Sequence, residues 1–233
     1  VALVDEAVEK IRELIRAGLL PAGGRLPAER QLATQLSVSR NTTREAVKVL
    51  ASAGVLDVRQ GDGTFVTNLS PQLLLEGLGF AIDLLHERHV MQVIEVRRML
   101  EPQAAAAAAS RASGDDLNAI GDHLARMREA ATRHETMIEE DIAFHSRIAR
   151  ASGNELLASM LDGLSGHTLR ARIWRGIVDH GSTSQTLAEH QAIYDALVRR
   201  DPAIVHAAAL LHVDTSEQWM RRMIAEGTAH FEG

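Results

Sequence analysis

A chain of 233 residues, 45% of them hydrophobic, is long enough for one large domain or two ordinary ones, each with its own core. The absence of cysteine excludes a disulfide framework, thiolate zinc sites and cysteine catalysis, and fits a reducing compartment. The net charge of -6 is unevenly spread: residues 1–67 hold nine Lys/Arg against eight Asp/Glu, which leaves sixteen basic and twenty-three acidic residues for 68–233.

The opening "VALVDEAVEK" is charged too early for a signal peptide, and no run approaches the ~18 uninterrupted apolar residues of a membrane span. A soluble, cytoplasmic chain without a membrane partner is expected. Val4, Val8, Ile11 and Ile15 recur at spacings of three and four, predicting a first amphipathic helix that "LLPAGG" ends. A second short helix is expected from about Ala28, just after Pro27, through Leu32 and Leu36. A third follows in "SVSRNTTREAVKVL", with Ser39 as N-cap and Ala46, Val47, Leu50 and Ala51 at helical spacing. Its first turn is polar: Arg40, Asn41, Thr42, Thr43 and Arg44. After Gly54, "VLDVRQGDGTFVTN" holds two short β-prone runs around "QGDG", a hairpin pattern.

Residues 68–72, "NLSPQ", read as a linker, and 73–227 read as helix throughout. Helical segments are predicted near 72–86, 90–111, 115–133, 135–151, 154–178, 184–200 and 202–224. The expected fold class is therefore mainly α: a winged helix-turn-helix over 1–67 and an all-α bundle of six or seven helices over 73–227. The alanine run 104–109 predicts a tightly packed helix face.

Two helices joined by a short turn around "SVS" and followed by a hairpin describe a winged helix-turn-helix, whose second helix presents its N-terminal residues to base edges in the major groove. Arginine pairs with guanine, asparagine with adenine, and Thr or Ser serves a base or a phosphate. Arg40, Asn41, Thr42 and Arg44 are the residue types that task needs. The alternative is an ordinary solvated helix end. Residues 25–60 carry six basic against three acidic side chains, and that bias with the turn and hairpin favours DNA.

The stretch "LPAERQLATQLSVSRNTTREAVKVLASAGVLDVRQGDGTFV" resembles the DNA-binding domain of the GntR family of bacterial transcription regulators. A Pro-x-Glu-Arg segment, a Val-Ser-Arg turn, an Arg-Glu-Ala helix and a Gly-x-Gly-Thr wing occur there in this order. The resemblance implies that Arg30, Arg40 and Arg44 contact phosphates or guanines and that Ser39, Asn41 and Thr42 line the groove. Gln60 and Gly61 would form the wing tip. Thr43 departs from the pattern, standing where an inward-packing aliphatic residue is usual, and a slightly loosened helix is expected there.

All eleven histidines lie beyond residue 85. Three share apolar helix stripes: His145 with Ile138, Ile142 and Ala149; His190 with Leu187, Tyr194 and Leu197; His212 with Val205, Ala208 and Trp219. An imidazole on such a face needs a partner, because an unsatisfied buried polar group costs roughly 1–3 kcal/mol. Asp141 precedes His145 by four residues, on the same face, and with two histidines from other helices would complete a three-nitrogen, one-oxygen donor set for a divalent transition metal. Singly, each is more simply a satisfied core histidine, and on the residues alone both readings stand.

The segments "VIEVRRMLEP", "EEDIAFHSRIARASGN", "EHQAIYDALVRRDP" and the downstream "HV" resemble the all-helical effector domain of the FadR-like branch of GntR regulators. That resemblance implies a metal held by Asp141, His145, His190 and His212, zinc foremost, with nickel and manganese as alternatives. It also implies a small carboxylate or sugar-acid effector paired by Arg97, a homodimer on a palindromic double-stranded DNA operator, and repression released on effector binding. No catalysis is expected: no spare general base is apparent beside the ligands. The competing readings are a metal-dependent enzyme acting on a small organic acid, and a DNA binder whose histidines merely pack.

Overall fold

Ala7 and Ile11 stand one turn apart with no exposed surface, which seats helix α1 (Ala2–Arg16) on the core of the first of two compact units, Val1–Leu78 and Gly79–Gly233. The computed structural model describes residues 2–73, 75, 89–165 and 182–226. Helix α2 (Glu29–Leu36) stops where Ser37 takes a left-handed φ of 57° and returns its N–H to the carbonyls of Ala33 and Thr34. Helix α3 (Arg40–Ser52) is capped by Ser39, whose Oγ accepts from the Thr42 N–H at 3.0 Å. Leu32, Leu36, Ala46 and Leu50 bring α2 and α3 onto the same core as Ile11.

Strands β1 (Leu56–Arg59) and β2 (Gly63–Val66) pair antiparallel, Leu56 opposite Val66 and Arg59 opposite Gly63. Gly61 reverses the chain with a φ of +80°, and the Asp62 N–H donates to the Arg59 carbonyl at 3.1 Å. A positive φ at the third turn position is what a type II turn requires, hence glycine. Gly63 also has a positive φ, +117°, and a Cβ there would in addition stand 2.9 Å from Arg25 Nε. Arg25 forms an isolated bridge with Phe65, a third strand-like edge that the sequence pattern did not disclose.

The loosening expected at Thr43 is absent. Thr43 is fully buried, and its hydroxyl donates to the Ser39 carbonyl at 3.1 Å, so the polar atom is satisfied inside its own helix and α3 runs unbroken.

In the second unit the described residues form α4 (Val90–Arg111), α5 (Gly114–Glu129), α6 (His134–Ala151), α7 (155–165), α8 (Ser182–Val198) and α9 (Pro202–Ala225). The chain is thus mainly α, with a winged helix-turn-helix followed by a helical bundle. Of the segment expected near 72–86 only residues 72, 73 and 75 are described, and 166–178 of the segment expected near 154–178 likewise lies outside the described residues. The helix expected over 115–133 ends earlier, because the Arg133 N–H turns back to the Ala130 carbonyl at 2.8 Å. Local chemistry sets the other ends: Ser113 and Asp116 form a reciprocal capping box on α5, and Asp201 caps α9 ahead of Pro202.

Packing follows the apolar stripes. Ala104, Ala105, Ala108 and Ala109 are buried, so α4 lies close against its neighbours at the alanine run. Helices α4 and α9 run antiparallel, tied by Arg221 to Glu95, Arg98 to Asp214 and Gln103 to His206. Phe144, Ile148, Ile193, Leu197, Val205 and Ala209 join α6, α8 and α9 in the main core, and this convergence sets the stage for their polar residues. Among the described residues no helix is long and apolar enough to cross a membrane.

Candidate metal centre and nucleic-acid interface

The first turn of α3 is solvent-facing. Arg40 and Asn41 are exposed, Thr42 is half-buried, and Ser39 Oγ lies 2.7 Å from Thr42 Oγ1, so the cap also orients the two hydroxyls. Arg44 is exposed and clamped by Glu29, its Nη2 at 2.8 Å and Nε at 3.1 Å from the carboxylate, which ties the start of α2 to the second turn of α3. Arg30 is exposed on α2, and Gln60 and Gly61 are exposed at the wing tip. Sequence reasoning passed over two wing cations. Arg59 Cζ lies 4.3 Å from the Phe65 ring centroid and Arg25 Cζ 6.0 Å, holding both guanidinium groups beside the hairpin. The local basic excess had counted both without placing them.

Asp141, His145, His190 and His212 come together. Their ligand atoms all lie within 4.8 Å of one another, delivered by α6, α8 and α9. His190 Nε2 is 2.8 Å from Asp141 Oδ1 and 3.0 Å from His145 Nε2, and His145 Nε2 is 3.6 Å from Asp141 Oδ1. The rings of His145 and His212 stack with centroids 5.0 Å apart, and buried Phe144 sets an edge against His145 and His190. His190 is fully buried, Asp141 and His212 nearly so.

The outer nitrogens of His190 and His212 each meet an acceptor. His190 Nδ1 donates to the Thr186 carbonyl at 2.6 Å, and His212 Nδ1 donates to Glu189 Oε2 at 2.9 Å. His145 Nδ1 lies 3.8 Å from Glu101 Oε2. With Nδ1 protonated, His190 turns a lone pair toward the Asp141 carboxylate. Electron-pair donors this close repel unless a proton or a metal ion lies between them, so the set fits a divalent transition metal. Arg97 is not a surface arginine: it is 4% exposed and ion-paired with Glu101, four residues on. Two carboxylates that the sequence reading did not place, Glu101 and Glu189, stand beside the cluster. They face the outer nitrogens, and each is engaged, by Arg97 and by His212.

Burial pushes His145 below the ordinary imidazole range and His212 well below it, and the neighbouring His190 and His145 reinforce the effect on His212. Groups held neutral in the fold but free to protonate in the unfolded chain make stability pH-dependent. Below the ordinary value of 6.5 the unfolded state binds more protons, so stability is full above it and declines on acidification, by up to about 1.4 kcal/mol per pH unit for each group. Chemical denaturation of chelator-treated protein between about pH 5.5 and 8 measures this. Stability that is level or rises on acidification would show that these rings charge within the fold.

Comparison with known proteins places both units. Residues 3–66 match the bacterial regulatory proteins of the gntR family, and residues 92–215 match the FCD domain. The chain is 32% identical over 209 residues to the HTH-type transcriptional regulator LutR of Bacillus subtilis (strain 168), covering 88% of this chain and 94% of that protein. It is 28% identical over 224 residues to the galactonate operon transcriptional repressor of Escherichia coli (strain K12), covering 94% and 97%. The solved structure of Streptococcus agalactiae GntR superposes with a TM-score of 0.69 at 29% identity, over 93% of this chain and 99% of that one. The winged module, the helical unit that follows it in the chain and these likenesses agree: the chain belongs to the gntR family of bacterial transcription regulators and carries an FCD domain.

Proposed function

We propose that this regulator binds a palindromic operator as a homodimer through Arg30, Ser39, Arg40, Asn41, Thr42, Arg44, Gln60 and Gly61. In the same proposal it senses a small carboxylate or sugar acid at a metal held by Asp141, His145, His190 and His212. The observation that carries the sensing half is the convergence of those four side chains from three helices within 4.8 Å. A divalent ion bound there, zinc being the first choice, supplies an electrophilic point for an acidic ligand's oxygen. Arg97 offers a buried guanidinium, suited to a carboxylate by its planar fork. The galactonate repressor's name supports a sugar acid as one candidate class.

Two copies place two recognition helices about one turn of DNA apart. Effector binding then weakens operator binding, and by linkage the operator weakens effector binding by the same factor. Repression with release by the effector is the simplest arrangement.

A thermal-shift screen of zinc-loaded protein against small carboxylates and sugar acids tests the sensing half. One acid is expected to raise the melting temperature, and chelator to abolish that response. Arg97→Lys keeps a cation for Glu101 but loses the bidentate fork, so it should weaken the acid by about 10- to 100-fold, as a loss of roughly 1.4–3 kcal/mol. An unchanged response in Arg97→Lys removes Arg97 from the effector site. A response indifferent to chelator removes the metal from it.

A further inference from the structure

Helix α8 carries more than one part of the cluster. Glu189 and His190 lie three and four residues after Thr186, so both flank its turn of the helix. Through the Thr186 carbonyl the helix anchors its own His190, and through Glu189 it reaches His212 on α9. Glu189 is well placed for this. Its Oε1 accepts from Gln185 Nε2 at 3.1 Å while Oε2 accepts from His212 Nδ1 at 2.9 Å, the Glu189 and His212 side chains being 12% and 7% exposed.

We infer that Glu189 is a positioning residue, which holds the His212 proton on Nδ1 and thereby turns the Nε2 lone pair of His212 toward Asp141, His145 and His190. The inference rests on the metal reading above. A neutral imidazole has one proton and two nitrogens, so a fixed acceptor on one side decides which nitrogen is the ligand. A carboxylate also makes the ring a stronger donor than a neutral acceptor does. Without Glu189 the metal-free ring would exchange tautomers, and Nε2 would be open to an ion only in the fraction that carries the proton on Nδ1.

Zinc affinity, read by competition with a chromophoric chelator, tests this on the full-length protein. Glu189→Ala should weaken zinc by about 10- to 100-fold, and Glu189→Gln by less, because the amide oxygen still accepts the proton. Long-range proton–nitrogen NMR of the metal-free wild type needs no variant to fold, and should find the His212 proton on Nδ1. A Glu189→Ala affinity within about twofold of wild type, or a His212 proton on Nε2, overturns the positioning role. If the wild type itself takes up no zinc, the metal reading falls and takes this role with it, which is a different result from a loaded wild type and an indifferent variant.

Discussion

Chelation is expected to lower the melting temperature of the helical unit by about 8–16 °C where free zinc had stood near a thousand times its dissociation constant. A ligand at that excess stabilises the native state by about 4.1 kcal/mol, and each kcal/mol moves the midpoint of a unit this size by roughly 2–4 °C. His190→Ala should abolish stoichiometric zinc uptake, since the ring is central: it touches both Asp141 and His145 through one nitrogen. The substitution also empties a fully buried position, which by itself costs about 2–5 kcal/mol. The decisive comparison is therefore the response to added zinc, not the absolute midpoint. His145→Gln, at a site 13% exposed, is a gentler second variant. A His190→Ala protein that still binds one equivalent of zinc would refute the four-residue centre.

The second large effect falls on the operator. Asn41→Ala and Arg40→Ala should each cost about 1–3 kcal/mol in binding to a duplex selected from a random pool by the wild type. Both side chains are exposed in the first turn of α3, where a helix entering the major groove presents its bases' partners. A salt series separates their roles. A residue reading a base should leave the slope of affinity against salt unchanged and relax preference at one base pair, whereas loss of a phosphate contact should reduce the slope by about one and weaken all sequences alike. Wild-type affinity in both variants would mean that another surface of the winged module reads DNA.

Arg44 shows why such distinctions need the fold. Its residue type and place in the first turns of the helix suggested a DNA contact, yet Glu29 already holds it from α2. An exposed ion pair of this kind is worth little by itself, and a phosphate competes with it readily. Arg97 moved the other way. Its burial beside Glu101 makes it part of the interior, where removing one partner of the pair costs far more than the pair contributes.

What the sequence by itself determined is whatever is encoded locally. The spacing of Val4, Val8 and Ile11, the Ser39 cap and the turn glycine at 61 each act within a few residues of themselves, so periodicity and residue type were enough to place the helices and hairpin of the first unit. The i, i+4 pairing of Asp141 with His145 is local in the same sense. Only the tertiary structure decided that His190 and His212 arrive at that pair, because convergence depends on how α6, α8 and α9 pack through Phe144, Ile193 and Val205. The carboxylates behind the rings were likewise silent in the sequence: Glu189 acts across twenty-three positions and Glu101 across forty-four. Contacts between helices follow from the three-dimensional meeting of two faces, and no spacing along one chain segment carries that information.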